Sequence, residues 1–264
     1  DEAKSYDPVV HKELDYVYGM VYHKLEKFDE AIGHYTKFMG TLKNDKLVEE
    51  FQVQVFIDQC NRARKDIANP KDVTLKNMGR TINSRHSDYN PVLSPDGNTL
   101  LITARRPDTK GGARSEFDNG FYSDIYQTTK SPETGDWNEL EHLPGKVNTE
   151  FWDAANCFAE GGEYLYITRN IPYTTKSSDI YMTKLSGSGK WGTPKPLGKG
   201  VNSSYFESSA TITADGQTMY FISERPDGVG RGDIWKVEKV SKRDWGEPVN
   251  LGPMVNSPED ENTV

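Results

Sequence analysis

The stretch from Asn202 to Trp235, NSSYFESSATITADGQTMYFISERPDGVGRGDIW, decides the fold. Two runs with apolar residues at alternate positions flank Ala214-Asp215-Gly216, which has the composition of a tight hairpin turn. A third run opens at Asp233-Ile234-Trp235 and a fourth reaches from Trp245 to Leu251, giving four short strands at about 207–213, 218–224, 233–240 and 245–251. The pattern recurs outward from this unit. Asn83, Asn148, Asn202 and Asn256 each follow Ile or Val, at spacings of 65, 54 and 54. Gly97, Gly162 and Gly216 mark the equivalent turns, Asp124, Asp179 and Asp233 the equivalent third strands, and Trp137, Trp191 and Trp245 return 54 residues apart. Four-stranded units of this length read as β-propeller blades, at about 80–143, 144–197 and 198–251, with the start of a fourth at 252–264. Met78, Leu143, Leu197 and Leu251 all lie five residues before a repeat Asn, so 73–79 reads as an orphan outer strand of an incomplete propeller.

Residues 1–70 read differently. No Pro occurs from His11 to Ala68, apolar residues fall at helical spacing, and Pro70 marks the boundary. Three helices are expected, at about 11–25, 28–42 and 46–68, so the fold class is α+β in two domains, 1–70 helical and 71–264 propeller. The 40 acidic and 32 basic residues give a formal charge of −8, which argues against nucleic acid or an anionic membrane as partner. No apolar run approaches the length of a spanning helix, so direct membrane insertion is not expected. Asp1-Glu2-Ala3-Lys4 carries neither initiator Met nor signal segment, which suggests a removed leader or an excised piece of a longer protein. Fourteen Tyr, ten Phe and five Trp fit an ordered, aromatic-rich core. Cys60 and Cys157, and the five histidines, have no metal-ligand or redox spacing, so no metal or cofactor is expected.

Gly19, Tyr22, Ala31 and Tyr35, with Lys27-Phe28-Asp29-Glu30-Ala31-Ile32, resemble one tetratricopeptide repeat, although Asp15 and Lys43 replace its usual Trp and Pro. The later pattern of repeat Asn, acidic residue, Ser94-Pro95-Asp96-Gly97, Arg225-Pro226-Asp227 and Asp124-Ile125-Tyr126 resembles TolB-like PD40 propeller repeats. Together these resemble Bacteroidetes envelope proteins that end in an OmpA-like domain, one of which belongs to type IX secretion and gliding. The resemblance implies a periplasmic, outer-membrane-associated setting and other cell-envelope proteins as partners. Peptidoglycan would be bound only through an OmpA-like domain, which is not among these 264 residues.

Catalytic constellations are thin. No Gly-x-Ser-x-Gly elbow occurs, and Gly228-Val229-Gly230-Arg231-Gly232 leads into a strand, not a phosphate-binding helix. With no nucleophile, base and orienter in view, the expectation is a non-enzyme without turnover. Asp124, Asp179 and Asp233 read as carboxylates tying strands together, and Trp137, Trp191 and Trp245 as packing between blades. Asp88, Asp153, Glu207 and Glu261, each five residues after a repeat Asn, open the innermost strands. They are either neutralised locally or form a ring of negative field at the channel mouth, able to hold a cation or a basic partner segment. Meander connectivity places them on one face with the loops of Arg106 and Arg225 and with a ten-residue insertion between Gly97 and Asp124 that carries Arg114, Phe117, Phe121 and Tyr122. That face is the expected docking surface. The expected function is a non-enzymatic envelope scaffold. The alternative is a propeller that binds a small ligand or glycan at the channel mouth, which a cluster of exposed aromatics there would favour. A third reading is the gating propeller of a peptidase.

Overall fold

The computed structural model describes residues 10–172, 177–241 and 244–264, and the chain divides into two units, Asp1–Lys76 and Asn77–Val264. The first holds four helices: α1 (Val10–Lys24), α2 (Phe28–Met39), α3 (Asp45–Phe51) and α4 (Val53–Ala68). The third expected helix is therefore two. Gln52 sits between them at φ 45°, ψ 35°, a left-handed conformation that ends α3, while Asn44 Oδ1 accepts from Leu47 N at 2.9 Å to cap its start. Ala31, Tyr35 and Phe38 of α2 and Val53, Ile57 and Cys60 of α4 form the buried core of this unit, with Tyr16, Phe51 and Phe56 packed against it. Gly19 on α1 lies under the Tyr35 ring, and a Cβ there would come within 2.5 Å of it. Asp15 is 4% exposed and is held by His34 Nδ1 at 2.9 Å and Lys37 Nζ at 3.3 Å.

The second unit consists of three four-stranded antiparallel sheets, each a meander in chain order. The first contains β1 (Asp88–Leu93), β2 (Thr99–Ala104), β3 (Asp124–Thr129) and β4 (Glu141–His142). The second contains β5 (Trp152–Ala159), β6 (Tyr164–Asn170), β7 (Asp179–Lys184) and β8 (Lys195–Pro196). The third contains β9 (Glu207–Ile212), β10 (Thr218–Ser223), β11 (Asp233–Glu238) and β12 (Val249–Asn250). Residues 73–79, expected as an outer strand, form none, and each sheet has a fourth strand of its own.

The sheets pack side by side, β5 against the first and β9 against the second. Leu101, Ile125, Ala155, Leu165, Ile167 and Trp191 fill the first junction; Tyr166, Ile180, Ala210, Phe221, Trp235 and Trp245 fill the second. Trp137, Trp191 and Trp245 each bridge the residue just after a third strand, Lys130, Leu185 and Lys239. Gly145 (φ 118°) runs in a parallel bridge against Trp191, where a Cβ would collide with the Trp191 carbonyl oxygen.

The repeat Asn has a definite task. Asn148 Oδ1 accepts from Ile125 N at 2.9 Å while its Nδ2 donates to Ile125 O at 2.9 Å. Asn202 does the same to Ile180 at 2.8 and 2.9 Å, and Asn256 to Ile234 at 2.9 and 3.1 Å. Each amide thus satisfies both backbone groups of a third-strand Ile and pins the segment that enters the next repeat.

Candidate functional site

Register places the chemistry at one end of the sheets. Asp88, Asp153 and Glu207 pair with Ala104, Arg169 and Ser223, and these in turn pair with Asp124, Asp179 and Asp233. The acidic set does not face an open channel as a field of negative charge. Asp88 accepts from Ser84 N at 2.7 Å and Ser84 Oγ at 2.9 Å, and from Arg106 Nη2 at 2.6 Å. Asp153 accepts from Thr149 N and Oγ1 at 2.5 and 2.7 Å and from Arg169 Nε at 2.6 Å. Glu207 accepts from Ser203 N and Oγ at 2.9 and 2.5 Å and lies 3.4 Å from Arg225 Nη2.

The same guanidinium groups donate to the carbonyls of Ile82, Val147 and Val201, just before each repeat Asn, and lie 5.1–5.2 Å from the rings of Tyr126, Tyr181 and Trp235. Asp88, Asp153 and Glu207 are thus each the centre of a clamp that neutralises the charge locally, one of the two alternatives for this set. Arg106 and Arg225 are the internal partners of Asp88 and Glu207. Burial raises the Asp153 carboxyl against the pull of Arg169; at Asp88, burial is outweighed by Ser84 and Arg106, and the carboxyl is lowered. Glu261 repeats the first half of the clamp, accepting from Ser257 N and Oγ at 3.0 and 2.6 Å.

The recurrent Asp also ties strands. Asp233 accepts from Val229 N, from Gly230 N at 2.9 Å and from Asn250 Nδ2 at 2.9 Å. Asp124 is wholly buried, accepts from Lys110 N at 2.7 Å and lies 3.3 Å from His142 Nδ1; burial pushes its carboxyl up to about 6. Asp179 has its carboxyl raised by burial and by the nearby charge of Glu207.

The insertion is an internally bonded hairpin. Arg114 bridges Phe121, Ser115 N donates to Gly120 O at 2.8 Å and Asn119 N to Ser115 O at 2.9 Å. Arg105 anchors it, donating to Asp118 through Nη1 and Nη2 at 2.6 and 2.9 Å and to Phe121 O through Nε at 2.6 Å. Lys110 Nζ reaches Asn148 O at 2.7 Å. Tyr122 is buried edge-on against Trp152, ring centroids 4.4 Å apart, whereas Phe117 at the tip is 87% exposed and lies 6.1 Å from the same indole.

Beneath Phe117 is a cavity of about 330 Å³ lined by Tyr89, Phe117, Trp152 and Phe206, with Ser123, Thr168, Asn170 and Ser178 among its other walls. Three sheets supply it, through the start of β1, the one end of the β5–β6 pair where β5 begins and β6 finishes, and the residues entering β3, β7 and β9. Burial raises the Tyr89 phenol, which hydrogen-bonds Ser123 and lies within electrostatic reach of Arg105. Of this set, the sequence pattern singles out only Phe117. The signal for the rest was an aromatic residue beside the repeat acid: Tyr89 after Asp88, Trp152 before Asp153, Phe206 before Glu207. Among the described residues no group of His, Cys, Asp and Glu is arranged to hold a metal ion, and no helix is long and apolar enough to cross a membrane.

No family model and no curated protein matches the chain. Solved structures similar to it include a glycoside hydrolase (11% identity, 69% of this chain and 61% of that one, TM-score 0.41) and an α-L-arabinofuranosidase from Lactobacillus brevis (14%, 60% and 53%, 0.37). A prolyl endopeptidase is similar at 14% identity over 64% of this chain and 21% of that one, TM-score 0.34. The chain spans about 60% of the length of the first structures it matches. The expectation of a non-enzyme is corrected by the glycoside hydrolases among these structures. That expectation rested on finding no nucleophile–base–orienter set, and glycoside hydrolysis requires only two suitably placed carboxyl groups.

Proposed function

We propose that the three sheets are consecutive blades of a β-propeller and that the cavity under Phe117 binds a glycan. The aromatic cavity is the observation that carries this reading. A sugar ring presents an apolar C–H face and a rim of hydroxyls, and it matches a site whose walls are largely aromatic and whose polar groups are hydroxyls and an amide. Trp152, wedged between Tyr122 and Phe117, is held in place before any ligand arrives, so little ordering is needed on binding. The setting we propose is the periplasm, on the resemblance of the repeats to TolB-like PD40 propellers.

The test is a printed array of neutral and acidic oligosaccharides probed with the full chain. Binding is expected to a restricted set of glycans and to fall about tenfold or more in Trp152→Ala, the loss typical of an aromatic anchor. Absence of binding to any glycan, or equal binding by Trp152→Ala, would reject the reading.

A further inference from the structure

The same hairpin lines a second cavity, of about 480 Å³, with Arg85, His86, Ser87, Arg105, Arg114, Gly120 and Phe121 around it. Three arginines and a histidine around one hollow are unexpected in a chain of formal charge −8. Arg105 is matched by Asp118, held well below the usual carboxylate range by the Arg105 hydrogen bonds. Neither Arg85 nor Arg114 has a carboxylate partner among the described residues. The Arg114 guanidinium lies 4.1 Å from the Phe121 ring centroid and donates through Nη1 to Asn119 O at 2.7 Å, and His86 meets that ring edge-on at 6.0 Å. The Phe121 ring thus fixes one cation over its face, and the backbone of the hairpin fixes that cation's orientation.

This arrangement differs from the clamps at Arg106, Arg169 and Arg225, where each cation already faces a carboxylate. Here positive charge is held in place beside a hollow, with Asp118 committed to Arg105 by two hydrogen bonds. Held cations of this kind bind anionic oxygen groups. The two cavities are lined by the same segments of the first sheet and its hairpin. Tyr89 of the aromatic cavity follows Arg85, His86 and Ser87 by a few residues and lies within electrostatic reach of Arg105. The hairpin that presents Phe117 to one cavity presents Arg114, Gly120 and Phe121 to the other.

We propose that the cavity of Arg85, His86, Arg105 and Arg114 binds the anionic group of the glycan held at Trp152, so that the ligand is an acidic saccharide carrying a carboxylate or sulfate. The proposal rests on the glycan reading. The experiment measures three probes on the full chain: an oligogalacturonate trimer, its methyl ester, and a sulfated neutral trisaccharide. Each is titrated against the native chain, Arg85→Gln/Arg114→Gln and Trp152→Ala, with a melting curve for every variant.

The charged trimer or the sulfated sugar is expected to bind at least fivefold tighter than the ester, in a salt-sensitive way, and the double Arg variant to remove about that factor while leaving ester binding in place. The preferred probe identifies the anion as carboxylate or sulfate. Equal binding of all three sugars, lost only in Trp152→Ala, would overturn the anionic site and keep the glycan reading. Binding of the charged trimer or the sulfated sugar that the Arg variant abolishes and Trp152→Ala leaves untouched would support the anion site and remove its link to the aromatic cavity. No binding of any probe would overturn both.

Discussion

Asp153 and Arg169 form the most enclosed of the acid–arginine clamps, with side chains 0% and 7% exposed. Removing one partner leaves the other charged, buried and alone, so Asp153→Asn is expected to cost about 3 kcal/mol in unfolding free energy. A urea melt checks this; a loss below about 1 kcal/mol, the range of a surface pair, would show that the clamp is solvated. The acidic residues are therefore assigned to stability, and a change in ligand capture by Asp153→Asn without any loss of stability would contradict that assignment.

Asp124 makes a pH prediction. Its carboxyl is pushed up to about 6 by burial, with the Lys110 N–H and His142 pulling it down and the Asp153 charge pushing it further up. An acid with a raised folded value binds its proton more tightly folded than unfolded, so its contribution to stability falls as pH rises from about 4 through 6. Asp124→Asn cannot release that proton. Relative to the native chain, the variant is expected to be more stable at pH 7 than at pH 4, by on the order of 2 kcal/mol across the window. A stability difference that does not change with pH would contradict the burial of this group as the cause.

Among the elements, the repeat Asn residues tie the sheets to one another. Asn202→Ala leaves the N–H of Ile180 without its partner in a buried strand, while the C=O keeps the Leu197 N–H, and is expected to cost about 2 kcal/mol with an unchanged urea m-value. A neutral result would mean that water replaces the amide. The 54-residue spacing made the four-stranded units and their turns legible, because period-two alternation and turn residues are local signals. The use of the repeat Asn was not legible, since its partner lies 22 residues earlier in the chain. The helix break at Gln52 was hidden for the opposite reason: a left-handed Gln carries no Gly or Pro to announce it. The insertion was visible as ten extra residues, but its order depends on Arg105 meeting Asp118 across 13 positions, a pairing no local pattern encodes. Deleting 115–120 is expected to remove glycan binding while lowering the melting temperature by only a few degrees, as an exposed hairpin tip contributes little core burial. A collapse of the melting curve would instead make the hairpin part of the core.

At the scale of the whole molecule, side-by-side packing gives three sheets a common end, and that end holds both the clamps and the aromatic cavity. The clamps keep the strand ends rigid, which lets Tyr89, Trp152 and Phe206, each next to a clamped acid, form a wall in advance of binding. The sequence drew attention to the acids because their type repeats, and drew it away from their neighbours because those vary. A binding site lives in what differs between repeats, whereas the fold lives in what they share. The most direct measurement is a crystal structure of the chain with the oligosaccharide that binds it most tightly on the array. The account predicts a sugar ring within about 4 Å of the Trp152 indole, under Phe117, with its hydroxyls toward Asn170 and Thr168. A sugar bound elsewhere on the chain, with the Trp152 cavity unchanged, would contradict it.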